Sequence, residues 1–237
     1  MVSAWASENE LVLGQLKVNE KSNEITAIPL LLDLLDLKGS IVTIDAIGTQ
    51  TKIAKKIIEN EADYILSVKG NQKELLQEIE SRFNHQRPSD IDETIDKGHG
   101  RIEIRKCETI TDLRYLNESG NWEGLKTIVK ITAQRETDKK QETEVRYYIS
   151  SVEDNAKNFN SYIRQHWGIE NKLHWTLDMI FDEDRQRKRT KNAAENFSFI
   201  RKIAFNLLKK DKSKGSMVTK LLKAGWDNQF LLQLLQI

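Results

Sequence analysis

Cysteine is almost absent from this sequence of 237 residues: Cys107 is the single one. An intramolecular disulfide and a cysteine-built zinc centre are therefore excluded, and a reducing, cytoplasmic setting is the expectation. Proline is equally scarce, with only Pro29 and Pro88, so long unbroken elements are predicted. No apolar run approaches the ~18 residues of a membrane span. The first residues do not read as a secretory signal, and no membrane partner is expected. Also missing are a Walker phosphate loop, a dinucleotide glycine fingerprint and a Gly-x-Ser-x-Gly elbow. Those absences count against ATPases, dehydrogenases and α/β-hydrolases. Finally, neither charge dominates: 37 Lys and Arg face 36 Asp and Glu, a net charge of +1. Any binding of a polyanion must rest on local charge.

What the sequence does have is charge in quantity and in one place. Charged residues make up 31%, above the usual ~25%. At roughly 150 residues per domain, the length fits one large domain, or one with a small insert. Between Arg185 and Lys214 there are eleven Lys and Arg against only Glu195 and Asp211. That run is either a solvated helix face or a polyanion-binding surface.

The periodicity divides the chain. Met1–Ala6 and Leu11–Val18 read as a hairpin around Glu8-Asn9,. Asn23–Leu37 has helical spacing and stops at Gly39,. Ile41–Ala46 and Tyr64–Val68 read as buried strands, each followed by a helix marked by Ile53, Ala54, Ile57 or by Leu75, Leu76, Ile79. This alternation predicts a partly parallel sheet. From about residue 85 to 150 a period of two predicts antiparallel strands,. After Asp154 a helical period runs to about Lys210, and a short helix follows over Asn228–Gln236.

Two carboxylates stand out. Asp45 falls near the C-terminal end of an apolar strand, where ligands bind in open α/β sheets,; the alternative is an aspartate capping the next turn. Glu170 is the second. Stepping ~100° per residue from Phe159, it lands at ~20°, inside a stripe of Ile163, Leu173, Leu177 and Phe181. A carboxylate on a buried face needs a cation or a raised pKa; an arginine pair is the alternative, and a bend at Gly168 would turn it outward. His166, Glu170 and His174 span roughly 12 Å of helix axis, too far to share one ion. Carboxylates on different elements suit Mg²⁺ or Mn²⁺ instead. Beside a basic run, such ions suggest phosphoryl transfer on nucleic acid. Trp167 and Trp175 flank the stripe, either as packing residues or as platforms for an unpaired base. Lys69 lies just beyond a strand end, within reach of a phosphate or simply closing the strand. Arg101, Glu103 and Arg105 share one strand face,.

Thr43-Ile-Asp-Ala46, Leu66-Ser-Val-Lys-Gly-Asn-Gln72, His99-Gly-Arg101 with Glu103 and Arg105, and Ile163-Arg-Gln-His-Trp-Gly-Ile-Glu-Asn-Lys-Leu-His-Trp175 resemble transposases of the ISAs1 group, within the IS4-like bacterial insertion sequences. Asn192-Ala-Ala-Glu-Asn196 and Ala224-Gly-Trp-Asp227 add to the match. The resemblance implies an α/β fold: an RNase H-like core, a β-rich insertion and C-terminal helices. Its divisions would be 1–84 for the first part of the core, 85–150 for the insertion, 151–210 for the glutamate helix and basic region, and 211–237 for the tail. It implies a triad of two aspartates and a glutamate on Mg²⁺ or Mn²⁺, with Asp45 as the second aspartate and Glu170 as the glutamate. DNA is the implied partner, as element ends and as target. Lys69, Arg101, Arg164, His166, Trp167, Asn171, Lys172, His174, Trp175, Arg185, Arg187, Lys188, Arg189 and Lys191 are the residues expected to contact it. A homodimer on paired ends, in the bacterial cytoplasm at the nucleoid, completes the expectation. Two departures stand out. No Ala-Ile-Asp-Gly-Lys-like strand carries the first aspartate, so an N-terminally truncated chain lacking the first core strand is expected. The broader Tyr-x2-Arg-x3-Glu-x6-Lys signature is replaced by Ile163, His166 and Leu177 around Glu170. A DNA-binding remnant without chemistry is the rival reading.

Overall fold

The computed structural model describes residues 1–18, 24–98, 100–137, 140–188 and 190–236. His99 and Arg189, and residues 19–23 with the expected start of the first helix at Asn23, lie outside them. The chain divides into two compact units, Asn19–His166 and Met1–Val18 with Trp167–Ile237.

The larger unit is a mixed six-stranded sheet between helices. Strands β3 (Ile41–Ile44) and β4 (Asp63–Val68) are parallel, with Ile44 opposite Leu66. Helix α1 (Glu24–Leu32) precedes them and ends short of the expected Leu37, and helix α2 (Thr51–Glu59) connects them and buries Ile53, Ala54 and Ile57. The remaining strands are antiparallel: β5 (Asp90–Gly98), β6 (Arg101–Ile110), β7 (Thr127–Thr137) and β8 (Lys140–Ser150). The order is β3-β4-β8-β7-β6-β5, with β8 paired to β4. Both expectations, parallel pairing first and antiparallel pairing after residue 85, hold within one continuous sheet.

Tyr64 to Val68 of β4 are all buried, which requires cover on both faces. On one face Ala156, Phe159 and Ile163 of α4 (Ala156–His166) pack with Ile65, Cys107, Val129, Ile131 and Tyr148. On the other, α2 lies against β4, where Leu66 is inaccessible. Helix α3 (Lys73–His85) buries Leu75 and Ile79. The Cys107 thiol is enclosed, and burial pushes its pKa up to about 12; it is packing, not a nucleophile.

Helix α4 bonds both edge strands. Its first N–H donates to Asp90 on β5 (2.8 Å), Asn160 donates to Asp92 (2.8 Å), and Arg164 pairs with Asp96 (2.8 Å). At its other end His166 Nδ1 lies 2.9 Å from Thr43 Oγ1 on β3. The edges of a flat six-stranded sheet lie roughly 24 Å apart at ~4.8 Å per strand. Arg164 and His166 share one helical turn, so the sheet curls around the end of α4.

The smaller unit starts from a two-stranded hairpin of β1 (Val2–Ala6) and β2 (Leu11–Leu16). A bulge between Ala4 and Trp5 breaks their register. Helix α6 (Ala193–Lys210) completes the ladder: Asn206 accepts from Val12 N–H (2.9 Å) and donates to Val12 C=O (2.8 Å). Val12, Leu173, Leu177 and Phe205 form the core beneath. Leu208 packs with Phe230 and Leu234 of α8 (Asn228–Leu235). Between them lies α7 (Met217–Trp226), an element the sequence reading missed.

The helical run expected from Asp154 to Lys210 is interrupted. After α4, a π-helical segment (Ile169–His174) leads into α5 (Trp175–Met179), and the chain is then irregular until Ala193. Asp182 to Asn192 contain no apolar residue, so no helix face there has anything to bury. No helix among the described residues is long and apolar enough to cross a membrane.

Gly48 is a point of close approach: a Cβ there would stand 2.4 Å from Ile44 Cγ2 and 2.8 Å from Ile28 Cδ1. Because Cγ2 branches at the Cβ, it cannot swing away. Gly48→Ala is expected to lose about 1–3 kcal/mol, read as a lower urea midpoint. In the smaller unit, Glu10 takes hydrogen bonds from Lys172 and Lys209. These hold its carboxyl below the ordinary glutamate value. The stabilisation is present above pH ~4.3 and is lost as pH falls through the lowered value. Between those limits the melting temperature of the native chain should fall more steeply with acid than that of Glu10→Gln.

Candidate active site

Asp45 stands immediately after β3, exposed, at the C-terminal edge of the parallel pair. Its side chain caps none of the N–H groups of the following 3₁₀ turn, Ala46–Gly48, so the capping alternative fails. The turn itself is fixed from below. Thr49 Oγ1 donates to the Ser67 carbonyl (2.6 Å) and lies 3.1 Å from the Asp45 carbonyl. Asn71 Nδ2 donates to the Ala46 carbonyl (2.6 Å), and Gln72 Nε2 to the Thr49 carbonyl (2.9 Å). The loops after β3 and β4 are thus one hydrogen-bonded body. It presents Asp45 from one loop and the exposed Lys69 from the other. Thr43, two residues before Asp45, holds His166. Sequence reasoning gave Thr49, Ser67, Asn71 and Gln72 no role, although Ser67, Asn71 and Gln72 stand in a quoted motif. The signal available was three amide or hydroxyl side chains clustered at two strand ends whose carbonyls need donors.

Glu170 lies in the smaller unit, exposed in the π-helical segment. The expectation that it occupies a buried stripe is corrected. A π-turn closes i to i+5 and adds a residue, displacing the face by about 100° relative to an α-helix. The stripe also splits: Phe159 and Ile163 belong to the core of the larger unit, Leu173 and Leu177 to that of the smaller. Glu170 forms no ion pair with a described residue, so it is not the carboxylate of a buried salt bridge.

The expected DNA contacts distribute as follows. In the larger unit Arg101 pairs with Glu103 (3.2 Å), and Arg164 with Asp96. In the smaller unit Asn171 donates to the Trp167 carbonyl (3.3 Å), and Lys172 is engaged by Glu10. Trp167 is half-buried, His174 is exposed, and Trp175 is 56% exposed. Arg185, Arg187, Lys188 and Lys191 are exposed on the irregular segment. Lys188 sits 3.7 Å from the Phe197 ring centroid, a cation–π contact. The basic run is less uniform than its composition suggests. Lys202 is buried on Gln15 (2.7 Å) and Ser198 (3.1 Å), and Lys209 is spent on Glu10.

As ligands, both carboxylates are hard oxygen donors open to solvent, the chemistry Mg²⁺ or Mn²⁺ takes. Among the described residues no group of three or more His, Cys, Asp or Glu is assembled to hold a metal. Taken singly, each carboxylate has the donor type that suits a divalent ion.

Comparison with known proteins places the chain in a family. The family model described as "Transposase DDE domain" matches residues 1–207; that family is typically dependent on divalent metals. The chain is 42% identical to "H repeat-associated putative transposase YhhI" of Escherichia coli (strain K12), over 99% of this chain and 65% of that protein. It is equally similar to "Putative protein YbfL" of the same strain, with the same coverage. It is 42% identical to "Putative transposase YncI" of Escherichia coli O157:H7, over 99% of this chain and 63% of that protein. The chain therefore spans just under two thirds of the length of these relatives. A tied pair of strand-end loops presenting Asp45, an exposed glutamate on a helical segment and a match over 207 residues lead to one family: this chain belongs to the DDE-domain transposases.

Proposed function

We propose that the chain acts on DNA in transposition, and that Asp45 and Glu170 are two of the carboxylates that hold divalent ions for strand cleavage and strand transfer. The observation that carries this reading is the Asp45 turn. Its carbonyls are bound internally, while its carboxylate is left outside at a strand-end edge. A divalent ion bound there supplies charge neutralisation at the phosphate and a more acidic attacking hydroxyl. In cleavage an oxygen of water forms a bond to phosphorus and the 3′-oxygen leaves as a hydroxyl; in transfer that 3′-hydroxyl oxygen bonds to a target phosphorus, the target's own P–O3′ bond breaks, and the proton passes to the released 3′-oxygen. Lys69, His166 and Arg164 of the larger unit, and Lys172 with the 185–191 segment of the smaller, hold backbone phosphates. The exposed Trp175 stacks on an unpaired base. An RNase H-like core, a homodimer on paired ends and a cytoplasmic, nucleoid-associated setting belong to the same reading. So does a third carboxylate, on an Ala-Ile-Asp-Gly-Lys-like strand with no counterpart in residues 1–237. Cutting by these residues alone is accordingly weak.

A second reading, a DNA-binding remnant without chemistry, is favoured by the absence of an assembled three-residue metal cluster among the described residues. Plasmid nicking in Mn²⁺ and fluorescence anisotropy on duplex DNA separate the two. On the first reading both native protein and Glu170→Gln bind DNA within about threefold of each other, and the variant loses nicking by at least about tenfold. Nicking retained by the variant contradicts the role of Glu170. Salt-dependent binding with no nicking by the native protein decides for the remnant, and no salt-dependent binding removes both readings.

A further inference from the structure

Between the distal half of the antiparallel strands and the end of α4 lies an open groove of about 660 Å³. Its lining includes Arg105, Arg135, Arg146 and Arg164, with Asp96 and Glu144. Two of these arginines are paired: Arg146 with Glu144 (2.7 Å) and Arg164 with Asp96 (2.8 Å). Arg105 differs. Its Nε donates to the neutral amide oxygen of Asn160 (2.6 Å). Its Nη2 is buried without a hydrogen-bond partner among the described residues. Burial lowers its pKa from the ordinary arginine value, and Arg164 and Arg146 push the same way. A guanidinium stays protonated in proteins. Arg105, which lines this groove, therefore carries a charged donor held just beneath the surface and left unsatisfied, a costly combination unless the side chain turns to meet an acceptor,.

The groove also has a definite position relative to Asp45. Val68, the last residue of β4, pairs with Tyr147 on β8. Arg146 is the next residue outward, so the groove opens where β4 ends, on the edge that carries Asp45 and Lys69. Arg105 lies further out on the same side: it pairs with Ala133, which pairs with Glu144.

We propose that this groove is a phosphodiester-binding site, with Arg105 as its fixed donor and Arg164 as a second donor released by exchange. The inference rests on the reading of the chain as DNA-acting, and adds where the strand is gripped. A phosphate oxygen satisfies the Nη2 donor of Arg105. Another replaces Asp96 on Arg164; that ion pair is more than half exposed on both sides, and such pairs are worth little, so the exchange costs little. Planar guanidinium donors suit a phosphate's oxygens better than an ammonium does. Asn160, itself bonded to Asp92, holds Arg105 in place.

The test is anisotropy of a labelled duplex over a salt series without divalent ions, which keeps the carboxylates out of the readout. Arg105→Gln is expected to weaken binding and to reduce the slope of log affinity against log salt by about one. Asp96→Asn frees Arg164 and is expected to strengthen binding about two- to fivefold at low salt. A folded Arg105→Gln with the native slope overturns the site, since a purely structural arginine would change only the melting temperature. If that variant does not fold, Asp96→Asn carries the decision, and native affinity there overturns the site. A native protein with no salt-dependent binding fails the transposase reading instead, before either variant is compared.

Discussion

Two parallel strands that finish side by side leave their last carbonyls beyond the reach of the ladder, and those carbonyls must be paired where water is excluded. In this protein the Thr49 hydroxyl joins the two strand ends by donating to the Ser67 carbonyl, while Asn71 and Gln72 close the turn from the β4 side. Both Thr49 and Ser67 are buried, so losing the Thr49 donor would strand an acceptor at a cost of about 1–3 kcal/mol. The rest of the larger unit's functional edge follows from that junction. It sets the start of α2, brings Lys69 beside the Asp45 loop and leaves the Asp45 carboxylate uncommitted. Thr43, on the same strand, then takes the last residue of α4.

The smaller unit solves a related problem differently. A bulged two-stranded hairpin is too small to stand alone, and α6 supplies what it lacks. Asn206 bonds both backbone groups of Val12, Phe205 packs near Trp5 with ring centroids 5.8 Å apart, and Lys202 reaches Gln15. Two of the lysines that make the sequence look like a continuous basic surface are consumed in this docking. Among the described cations of that run, Arg185, Arg187, Lys188 and Lys191, and Lys210, Lys212 and Lys214 further on, remain exposed.

Much of this was legible before any coordinates. The alternation of Ile41–Ile44, α2 and Tyr64–Val68 gave the parallel pair, and the period of two after residue 85 gave the antiparallel strands, because both patterns report burial directly. The place of Asp45 at the end of an apolar strand was legible for the same reason. The buried position expected of Glu170 came from a periodicity argument that fails in its physics, since ~100° per residue does not survive a π-turn,. The family resemblance, which needs no phase, points to the same residue. Helix α7 was missed although Met217, Leu221 and Ala224 recur at helical spacing and pack on the core of Leu208, Phe230 and Leu234; the exposed Val218 and Leu222 beside them blur the stripe. The groove around Arg105 was out of reach too. Register between four strands and a helix brings its arginines together, and no local spacing encodes that.

The proposal that matters most is that Asp45 and Glu170 are both ligands of divalent ions. The most direct measurement is a titration with Mn²⁺ followed by paramagnetic broadening of the backbone amide resonances. The account predicts that the signals around Asp45 and around Glu170 vanish over the same range of added Mn²⁺, and that Asp45→Asn weakens the effect at both. Broadening confined to one of the two, or absent from both, would contradict it.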